Sequence, residues 1–213
     1  MVFSSPLELF LPADAPNRAE LVAKAARHLE LIVETNQQFN LTRILDPVEA
    51  AVKHVVDSVV PWRHFAGAKV VADAGSGPGF PGIPLAIALP DVQFTLLEST
   101  GKKARFLESA VQELKLRNVA VFPVRAEDWF KSDRADIVTA RAVAPLVRAL
   151  PLFRPALKKG SRVLLYKGSA IEQELADVMS MKDRQAVRVV ETYALPMEMG
   201  TRTLVEITNP AQS

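Results

Sequence analysis

The sequence predicts an α/β fold built on a mostly parallel, doubly wound sheet. Strand-like apolar runs alternate with helical stretches after residue 66, and this alternation is typical of parallel strands joined by helical crossovers. A dense glycine cluster follows the first run, as in sheets that bind nucleotides. The last two runs have no helix between them, which predicts an antiparallel last strand. The predicted strands cover residues 69–74, 92–98, 119–124, 137–140, 162–166, 187–193 and 203–207.

Two helices precede the predicted sheet. Residues 18–39 carry apolar side chains at helical spacing, and a second apolar-faced helix over residues 48–60 begins after Pro47 and ends before Pro61. We therefore expect an N-terminal helical cap over residues 1–65 that belongs to the same globule as a main domain over residues 66–213. A chain of 213 residues with 49% hydrophobic content is sufficient for one substantial core.

The segment from Asp73 to Gly82 carries the strongest functional signal. Four of the nine glycines lie there, directly after an apolar run. Glycine lets the backbone adopt positive φ and approach a ligand closely. The dinucleotide fingerprint requires a third glycine where this chain has Phe80, and no Gly-Lys-Ser/Thr follows. The segment indicates a nucleotide-cofactor loop of another kind, and the alternative is a structural turn without a ligand.

A second acidic residue supports a cofactor. Glu98 ends the predicted strand over residues 92–98, roughly 20 residues after the glycine loop, where a carboxylate accepts hydrogen bonds from ribose hydroxyls in nucleotide-binding sheets. Taken alone, an acid at this place is also typical of a solvated strand end or a helix start. Its spacing from the glycine loop favours the ribose contact.

Short motifs recur in order along nearly the whole chain. They are Asn40-Leu41-Thr42, His54-x-x-Asp57-Ser58, the loop from Asp73 to Gly82 with Pro84 after it, Glu98-Ser99-x-x-Lys102-Lys103-x-x-Phe106-Leu107, Ala126-Glu127, Arg141-Ala142 and Lys167-Gly168. The glycine loop resembles the first motif of class I S-adenosylmethionine-dependent methyltransferases. The whole set resembles the bacterial 16S rRNA guanine-N7 methyltransferases of the glucose-inhibited division protein B family, which modify guanine 527. Two apolar departures from the family pattern, Ala74 and Val143, concern packing rather than chemistry.

The resemblance implies a Rossmann-like methyltransferase fold with seven strands and S-adenosylmethionine as the cofactor. The implied cofactor-binding residues are Asp73, Gly75, Gly77, Phe80, Glu98, Ala126, Glu127 and Arg141. Within this set Ala126 and Glu127 would border the adenine, and Arg141 would hold the methionine carboxylate or an RNA phosphate. The alternatives are that Glu127 merely begins a helix and that Arg141 belongs to a surface ion pair.

The implied reaction needs no general base. Guanine N7 presents a lone pair and carries no proton to remove, so positioning is the main demand and no catalytic residue is assigned. The three histidines, His28, His54 and His64, form no cluster with metal-ligand spacing, and the chain has no cysteine. We therefore expect no metal site, and disulfides and thiolate chemistry are excluded.

Positive charge is concentrated in one part of the chain. Residues 131–170 contain nine Lys or Arg against two acids, whereas residues 1–50 contain four against seven. Arg141, Arg148 and Lys167 are the expected RNA-binding residues, because this cluster lies around the second half of the sheet where a phosphate backbone could meet it. The expected partner is 16S rRNA or the small ribosomal subunit. The alternative is an ordinary solvated basic face.

Further features of the sequence concern the cellular location of the protein and its functional class. No stretch approaches about 18 uncharged apolar residues, and the N-terminus lacks a charged start followed by an apolar core. We expect a cytoplasmic monomer that does not contact a membrane. Two other functions stay open: a small-molecule methyltransferase with an enclosed apolar substrate pocket, and a non-catalytic RNA-binding module. The intact Gly75, Gly77 and Glu98 argue against the latter.

Overall fold

The computed structural model describes residues 2–169, 171–180 and 186–209, and within them the chain forms a seven-stranded sheet in the order β3-β2-β1-β4-β5-β7-β6. The strands are β1 (Val70–Ala74), β2 (Gln93–Leu97), β3 (Val119–Phe122), β4 (Ile137–Arg141), β5 (Arg162–Gly168), β6 (Ala186–Ala194) and β7 (Thr201–Thr208). Strands β1 to β5 pair in parallel, and β7 is antiparallel to both β5 and β6. This confirms the predicted fold, including the antiparallel last strand.

Helices connect the strands and precede them. They are α1 (Ser4–Phe10), α2 (Arg18–Asn36), α3 (Pro47–Ala50), α4 (Asp57–Val59), α5 (Gly82–Ala88), α6 (Gly101–Glu113), α7 (Ala126–Ser132), α8 (Leu146–Lys158) and α9 (Ile171–Met179). A π-helical segment, Ala51–Val56, joins α3 to α4 without a break. The predicted helix over residues 48–60 is thus present, and its central turns are wider than an α-helix.

The first long helix ends earlier than its apolar pattern predicts. Helix α2 stops at Asn36 rather than at residue 39. The Asn36 side chain accepts hydrogen bonds from the backbone N–H groups of Leu41 and Thr42, at 2.7 and 3.2 Å, and donates to the Thr42 carbonyl at 2.8 Å. These bonds fold the following residues back into a loop because an Asn side chain competes with helical hydrogen bonding.

The sheet is covered on both faces. The core on one face joins the N-terminal helices to the sheet, since Leu29 of α2 and Leu96 of β2 are buried in the same cluster. The core on the other face packs Phe130 of α7, Phe153 of α8 and Val178 of α9 against strands that include Val163. The division into a cap over residues 1–65 and a domain over residues 66–213 stays a prediction.

Parallel strands place their carboxyl ends at one edge of the sheet. The loop after β1, Glu98 after β2 and Arg141 at the end of β4 therefore lie along the same edge. Arg202 of β7 joins them because it pairs with Gly168 at the end of β5. Among the residues described, there is no helix with the length and hydropathy needed to cross a membrane.

Candidate active site

The loop after β1 has the backbone shape that only glycine adopts readily. Gly75, Gly77 and Gly79 have φ values of +74°, +57° and +103°. The N–H groups of Gly75 and Ser76 donate to the Leu97 carbonyl at 2.8 and 3.1 Å, which holds the loop against the end of β2. A Cβ added at Gly75 would meet nothing within 4 Å among the residues described. The main chain at Gly75 is therefore open to a ligand.

Asp73 lies beneath this loop. Its side chain is fully buried, and Oδ2 accepts a hydrogen bond of 3.0 Å from the N–H of Gly82, the first residue of α5. A Cβ at Gly82 would lie 2.8 Å from the same carboxylate, so glycine is needed there for space. Burial raises the pKa of Asp73 to about 6, although the Gly82 hydrogen bond opposes that shift. Asp73 therefore fixes the course of the loop into α5.

Glu98 connects the glycine loop to the start of α6. One carboxylate oxygen accepts from the N–H of Gly77 at 3.0 Å, and the other accepts from the N–H of Thr100 at 2.7 Å. The side chain is buried. Each carboxylate oxygen has a second lone pair, so Glu98 keeps acceptor capacity beyond these two bonds.

An apolar cavity of about 200 Å³ opens beside Gly75. We call it the apolar cavity. Its lining residues come from the ends of β1 and β2, from α7 and from α8. Ala126 and Glu127 form part of its wall at the start of α7, and Phe130 and Phe153 form apolar parts of its lining. A flat aromatic group with a polar edge fits such a lining, because the rings bury its faces while Glu127 can accept hydrogen bonds.

Phe80 lies outside the apolar cavity. Its ring stacks on His54 with centroids 4.5 Å apart and contacts His28 at 4.9 Å. The Arg141 guanidinium lies 5.2 Å from the Phe80 ring centroid. The expected contact of Phe80 with the cofactor stays a prediction, and what the structure places around the ring is the helical cap and Arg141.

A second cavity, of about 330 Å³, lies next to the first along the same edge of the sheet. We call it the cationic cavity, because its lining includes Lys53, Arg141, Lys167 and Arg202. Ala142 lines the cationic cavity and its neighbour Val143 lines the apolar cavity. Ala142 has φ +55°, an uncommon conformation for a residue with a Cβ, and such strain is concentrated at functional sites.

Arg141 binds the helical cap rather than open solvent. Its Nη1 donates to the Lys53 carbonyl at 2.8 Å, and its Nη2 lies 3.2 Å from His54 Nδ1. The Asp57 carboxylate is 3.5 Å away. Burial lowers the pKa of Arg141, and the charges of Asp57 and Asp73 oppose this. The guanidinium therefore joins the end of β4 to the π-helical segment at the wall of the cationic cavity.

Asp57 lines the cationic cavity in contact with Arg141, and the sequence did not predict a role for it. Its carboxylate accepts hydrogen bonds from the Tyr193 hydroxyl at 3.0 Å and from Arg202 Nε at 3.2 Å, in addition to the contact with Arg141. Its side chain is 1% exposed. The available signal was the motif His54-x-x-Asp57-Ser58. An acid on an otherwise apolar helix face indicates a buried partner, because unpaired carboxylates are rarely buried.

The two remaining expected RNA-binding residues differ in their surroundings. Lys167 is 8% exposed, and its ammonium lies 2.8 Å from Glu174 of α9 and 3.2 Å from the Ala144 carbonyl. Glu174 also accepts from the N–H of Leu146 at the start of α8. Lys167 thus supports the segment after β4 as well as lining the cationic cavity. Arg148 is exposed on α8 and lines neither cavity.

Comparison with known proteins identifies relatives along nearly the whole chain. Residues 21–203 match the family model GidB, described as rRNA small subunit methyltransferase G. The ribosomal RNA small subunit methyltransferase G of Solibacter usitatus (strain Ellin6076) is 62% identical over 209 residues, which cover 97% of this chain and 100% of that protein. The protein of the same name from Sorangium cellulosum (strain So ce56) is 45% identical, over 84% of this chain and 77% of its own.

Solved structures with low sequence identity share the fold. The O-methyltransferase from Bacillus cereus in complex with SAH aligns with a TM-score of 0.58 at 16% identity, over 85% of this chain and 91% of that one. Precorrin-6y C5,15-methyltransferase from Geobacter metallireducens aligns with a TM-score of 0.55 at 14% identity, over 82% and 95% of the two chains. Together with the family match, this means that the chain belongs to the GidB family of rRNA small subunit methyltransferase G and is an S-adenosylmethionine-dependent methyltransferase.

Proposed function

We propose that the protein transfers the methyl group of S-adenosylmethionine to N7 of guanine 527 in 16S rRNA. The observation that carries this proposal is the pair of adjoining cavities at the end of β4. One is apolar and borders the open main chain of Gly75, and the other is lined by four cationic side chains. The family supplies the ribosomal substrate, and the choice of N7 and of position 527 rests on the sequence resemblance.

The residues around the apolar cavity fit the cofactor. We propose that the adenine lies against Ala126 and Glu127 and that the main chain at Gly75 and Gly77 passes close to the methionine portion. Glu98 would accept from the ribose hydroxyls with the lone pairs that Gly77 and Thr100 leave unused. Asp73 fixes the course of the loop from below, and Phe80 supports the loop from the side of the cap. Arg141 offers positive charge at the wall of the cationic cavity.

The reaction requires the protein mainly to position its substrates. When bound, the cofactor supplies an electrophilic methyl group on a sulfonium centre. Guanine N7 attacks with a lone pair that is already free, so no side chain has to remove a proton. His54 is engaged through both ring nitrogens and Asp57 through its ion pairs, so neither is a base in this account. Holding both reactants in line contributes on the order of 7 to 11 kcal/mol in favourable cases.

The cationic cavity favours RNA over a small apolar substrate. Its four cations, Lys53, Arg141, Lys167 and Arg202, are paired with three acids, Glu49, Asp57 and Glu174, and the remaining excess of positive charge would attract phosphates around a guanine that is splayed out of its stack. Arg148 on α8 would make a peripheral phosphate contact. A small-molecule methyltransferase would instead require an enclosed apolar acceptor pocket. Because the proposed substrate is ribosomal RNA, we place the reaction in the cytoplasm, and we propose that the protein acts as a monomer.

The test is transfer of a radiolabelled methyl group to naked 16S rRNA and to 30S particles that lack the modification. The proposal expects incorporation into one of these substrates at one methyl group per RNA. Incorporation into neither, with intact S-adenosylhomocysteine binding measured by calorimetry, would redirect the assignment to a small-molecule acceptor.

A further inference from the structure

The hairpin between β6 and β7 ends in a loop that is firmly held. Within this loop, residues 195–200, the N–H of Leu195 donates to the Gly200 carbonyl at 2.8 Å and the N–H of Met199 donates to the Pro196 carbonyl at 3.2 Å. Leu195 is buried and anchors the loop to the protein. The loop therefore presents its exposed residues in one fixed arrangement.

The tip of this loop exposes a large apolar side chain. Met197 is 65% exposed. Its backbone has φ +58° and ψ +31°, and the next residue, Glu198, has φ +55°. A left-handed backbone conformation at two successive non-glycine residues is unfavourable, and such backbone strain is typically retained at functional sites.

The loop borders the cationic cavity. Arg202, which lines that cavity, pairs with Gly168 across β5 and β7 and is the second residue of β7 after the loop. A Cβ on Gly200 would lie 3.7 Å from Arg202 Nη1, so the loop and the cavity wall are in contact distance of each other. The loop therefore lies at the same edge of the sheet as the cationic cavity, next to the strand residues that lead to Arg202.

We propose that Met197 stacks on a nucleobase of the RNA next to the guanine that enters the cationic cavity. This inference rests on the proposed function. A thioether packs well against aromatic rings, and methionine is one of the apolar side chains that proteins insert between bases. The neighbouring exposed carboxylate of Glu198 repels phosphate, so the loop contacts bases while the cavity lysines and arginines contact the backbone.

The chain provides a matched control. Met179 is 72% exposed and is the last residue of α9. Helix α9 begins near the carboxyl edge of the sheet, and Met179 lies roughly 12 Å along the helix axis from its first residue. Substitution of either methionine by serine removes the same apolar side chain from a comparable exposure. Of the two, Met197 belongs to the loop that leads into Arg202 at the edge of the sheet that carries the cationic cavity.

The experiment compares Met197→Ser, Met197→Leu and Met179→Ser for methyl transfer to 30S particles and for S-adenosylhomocysteine binding by calorimetry. We expect Met197→Ser to raise the KM for RNA roughly five- to tenfold, the lower end of what base stacking contributes. Met197→Leu keeps an apolar surface and should stay within about twofold of the parent, as should Met179→Ser. Cofactor affinity should be the same in all three variants.

A KM for Met197→Ser equal to that of the parent and of Met179→Ser overturns the stacking role while leaving the proposed function intact. An equal loss in Met197→Leu, or a loss of S-adenosylhomocysteine binding in Met197→Ser, also overturns it, because neither follows from apolar stacking on RNA. A parent protein that methylates no ribosomal RNA refutes the proposed function itself, and the inference with it.

Discussion

His54 and Phe80 stack with their ring centroids 4.5 Å apart and their planes 9° from parallel. The pair joins the π-helical segment of the cap to the glycine loop. His54 Nδ1 lies 3.2 Å from Arg141 Nη2, and His54 Nε2 lies 3.1 Å from Thr42 Oγ1. Because a guanidinium only donates hydrogen bonds, Nδ1 of His54 accepts and the neutral ring carries its proton on Nε2, which donates to Thr42. One side chain thus links the cap, β4 and the glycine loop.

This arrangement gives the Asn40-Leu41-Thr42 motif a physical role. Asn36 holds the backbone of Leu41 and Thr42, and Thr42 in turn receives the hydrogen bond from His54. Ile44, two residues further on, lines the cationic cavity. The loop after α2 therefore contacts the same histidine that stacks on Phe80 of the glycine loop.

Folding keeps His54 neutral, which makes stability depend on pH. Burial, and secondarily the charge of Arg141, lower the pKa of His54 from 6.5 to about 3. The unfolded chain therefore takes up a proton between pH 6.5 and about 3 that the folded chain does not bind. Stability that is present above pH 6.5 is lost as the pH falls through this range, by about 1.4 kcal/mol per pH unit for one such histidine.

The variant His54→Gln tests this linkage. We expect its free energy of unfolding, measured with urea, to fall less steeply between pH 6.5 and 4.5 than that of the parent, because one differential proton is removed. The value at pH 8 is the internal control, since it reports the lost stacking on Phe80 without the titration. Parallel pH profiles for the two proteins would contradict a neutral buried His54.

The substitution Gly75→Val tests the cofactor loop. Valine at φ +74° strains the backbone and projects a branched side chain into the space reserved for the ligand. We expect a folded protein whose S-adenosylhomocysteine affinity falls at least about 100-fold, or about 2.7 kcal/mol. Gly67→Val is the matched control, because Gly67 has φ +84° and equally open space but lies at the other edge of the sheet. Equal calorimetric affinities for the two variants would contradict the assigned loop.

The substitution Glu98→Ala tests the ribose contact. It removes a side-chain acceptor that serves the proposed ribose and also holds Gly77 and Thr100. We expect a loss of about 1.5 to 3 kcal/mol in cofactor binding, with Glu98→Gln intermediate because the amide keeps one acceptor oxygen. RNA affinity, measured separately by filter binding, should be nearly unchanged. A variant that binds cofactor normally and loses RNA would show that Glu98 has another role.

The salt dependence of RNA binding tests the basic residues. Removing one phosphate contact should reduce the slope of log affinity against log salt concentration by about 0.7 to 0.9. We expect such a change for Lys167→Ala, with lower turnover, and a smaller change for Arg148→Ala. Lys69→Ala is the control of equal charge, since Lys69 is exposed at the opposite edge of the sheet.

Lys167 also needs a control for its ion pair with Glu174. Glu174→Gln breaks the pair and keeps the lysine charge at the cavity. If Glu174→Gln reproduces the full effect of Lys167→Ala, Lys167 acts only by holding α9. If the slopes of Arg148→Ala, Lys167→Ala and Lys69→Ala all equal that of the parent, the RNA docks elsewhere, for instance near Asn40 and Arg43.

The sequence predicted that the glycine loop and Glu98 lie at one edge of the sheet, and their contacts with the cofactor stay predictions. The strand pattern places the glycines after β1 and the acid after β2 at the same edge of the sheet. A positive φ strongly favours glycine over residues that carry a side chain. The surroundings of Arg141 were not predictable in this way. Its partner Lys53 lies 88 residues earlier in the chain, and only the packing of the cap against β4 brings the two together.

The same reason explains what was missed around Lys167 and Asp57. The position of Lys167 after a predicted strand indicates a phosphate contact. Its burial and its pairing with Glu174 depend on where α9 returns to the sheet. Asp57 contacts Tyr193 and Arg202 from the end of the chain. Long-range ion pairs carry no periodic signal in the sequence, whereas strands and glycine loops do.

Mapping the modified base distinguishes methylation at N7 of guanine 527 from methylation at any other position. 16S rRNA from 30S particles methylated by the protein is treated with borohydride and aniline, which cleave the chain at N7-methylguanine, and the cleavage position is read by primer extension. The proposed function predicts one new stop, at guanine 527, which depends on S-adenosylmethionine and is absent with Gly75→Val. Stoichiometric methylation without cleavage, or cleavage at a different guanine, would contradict it.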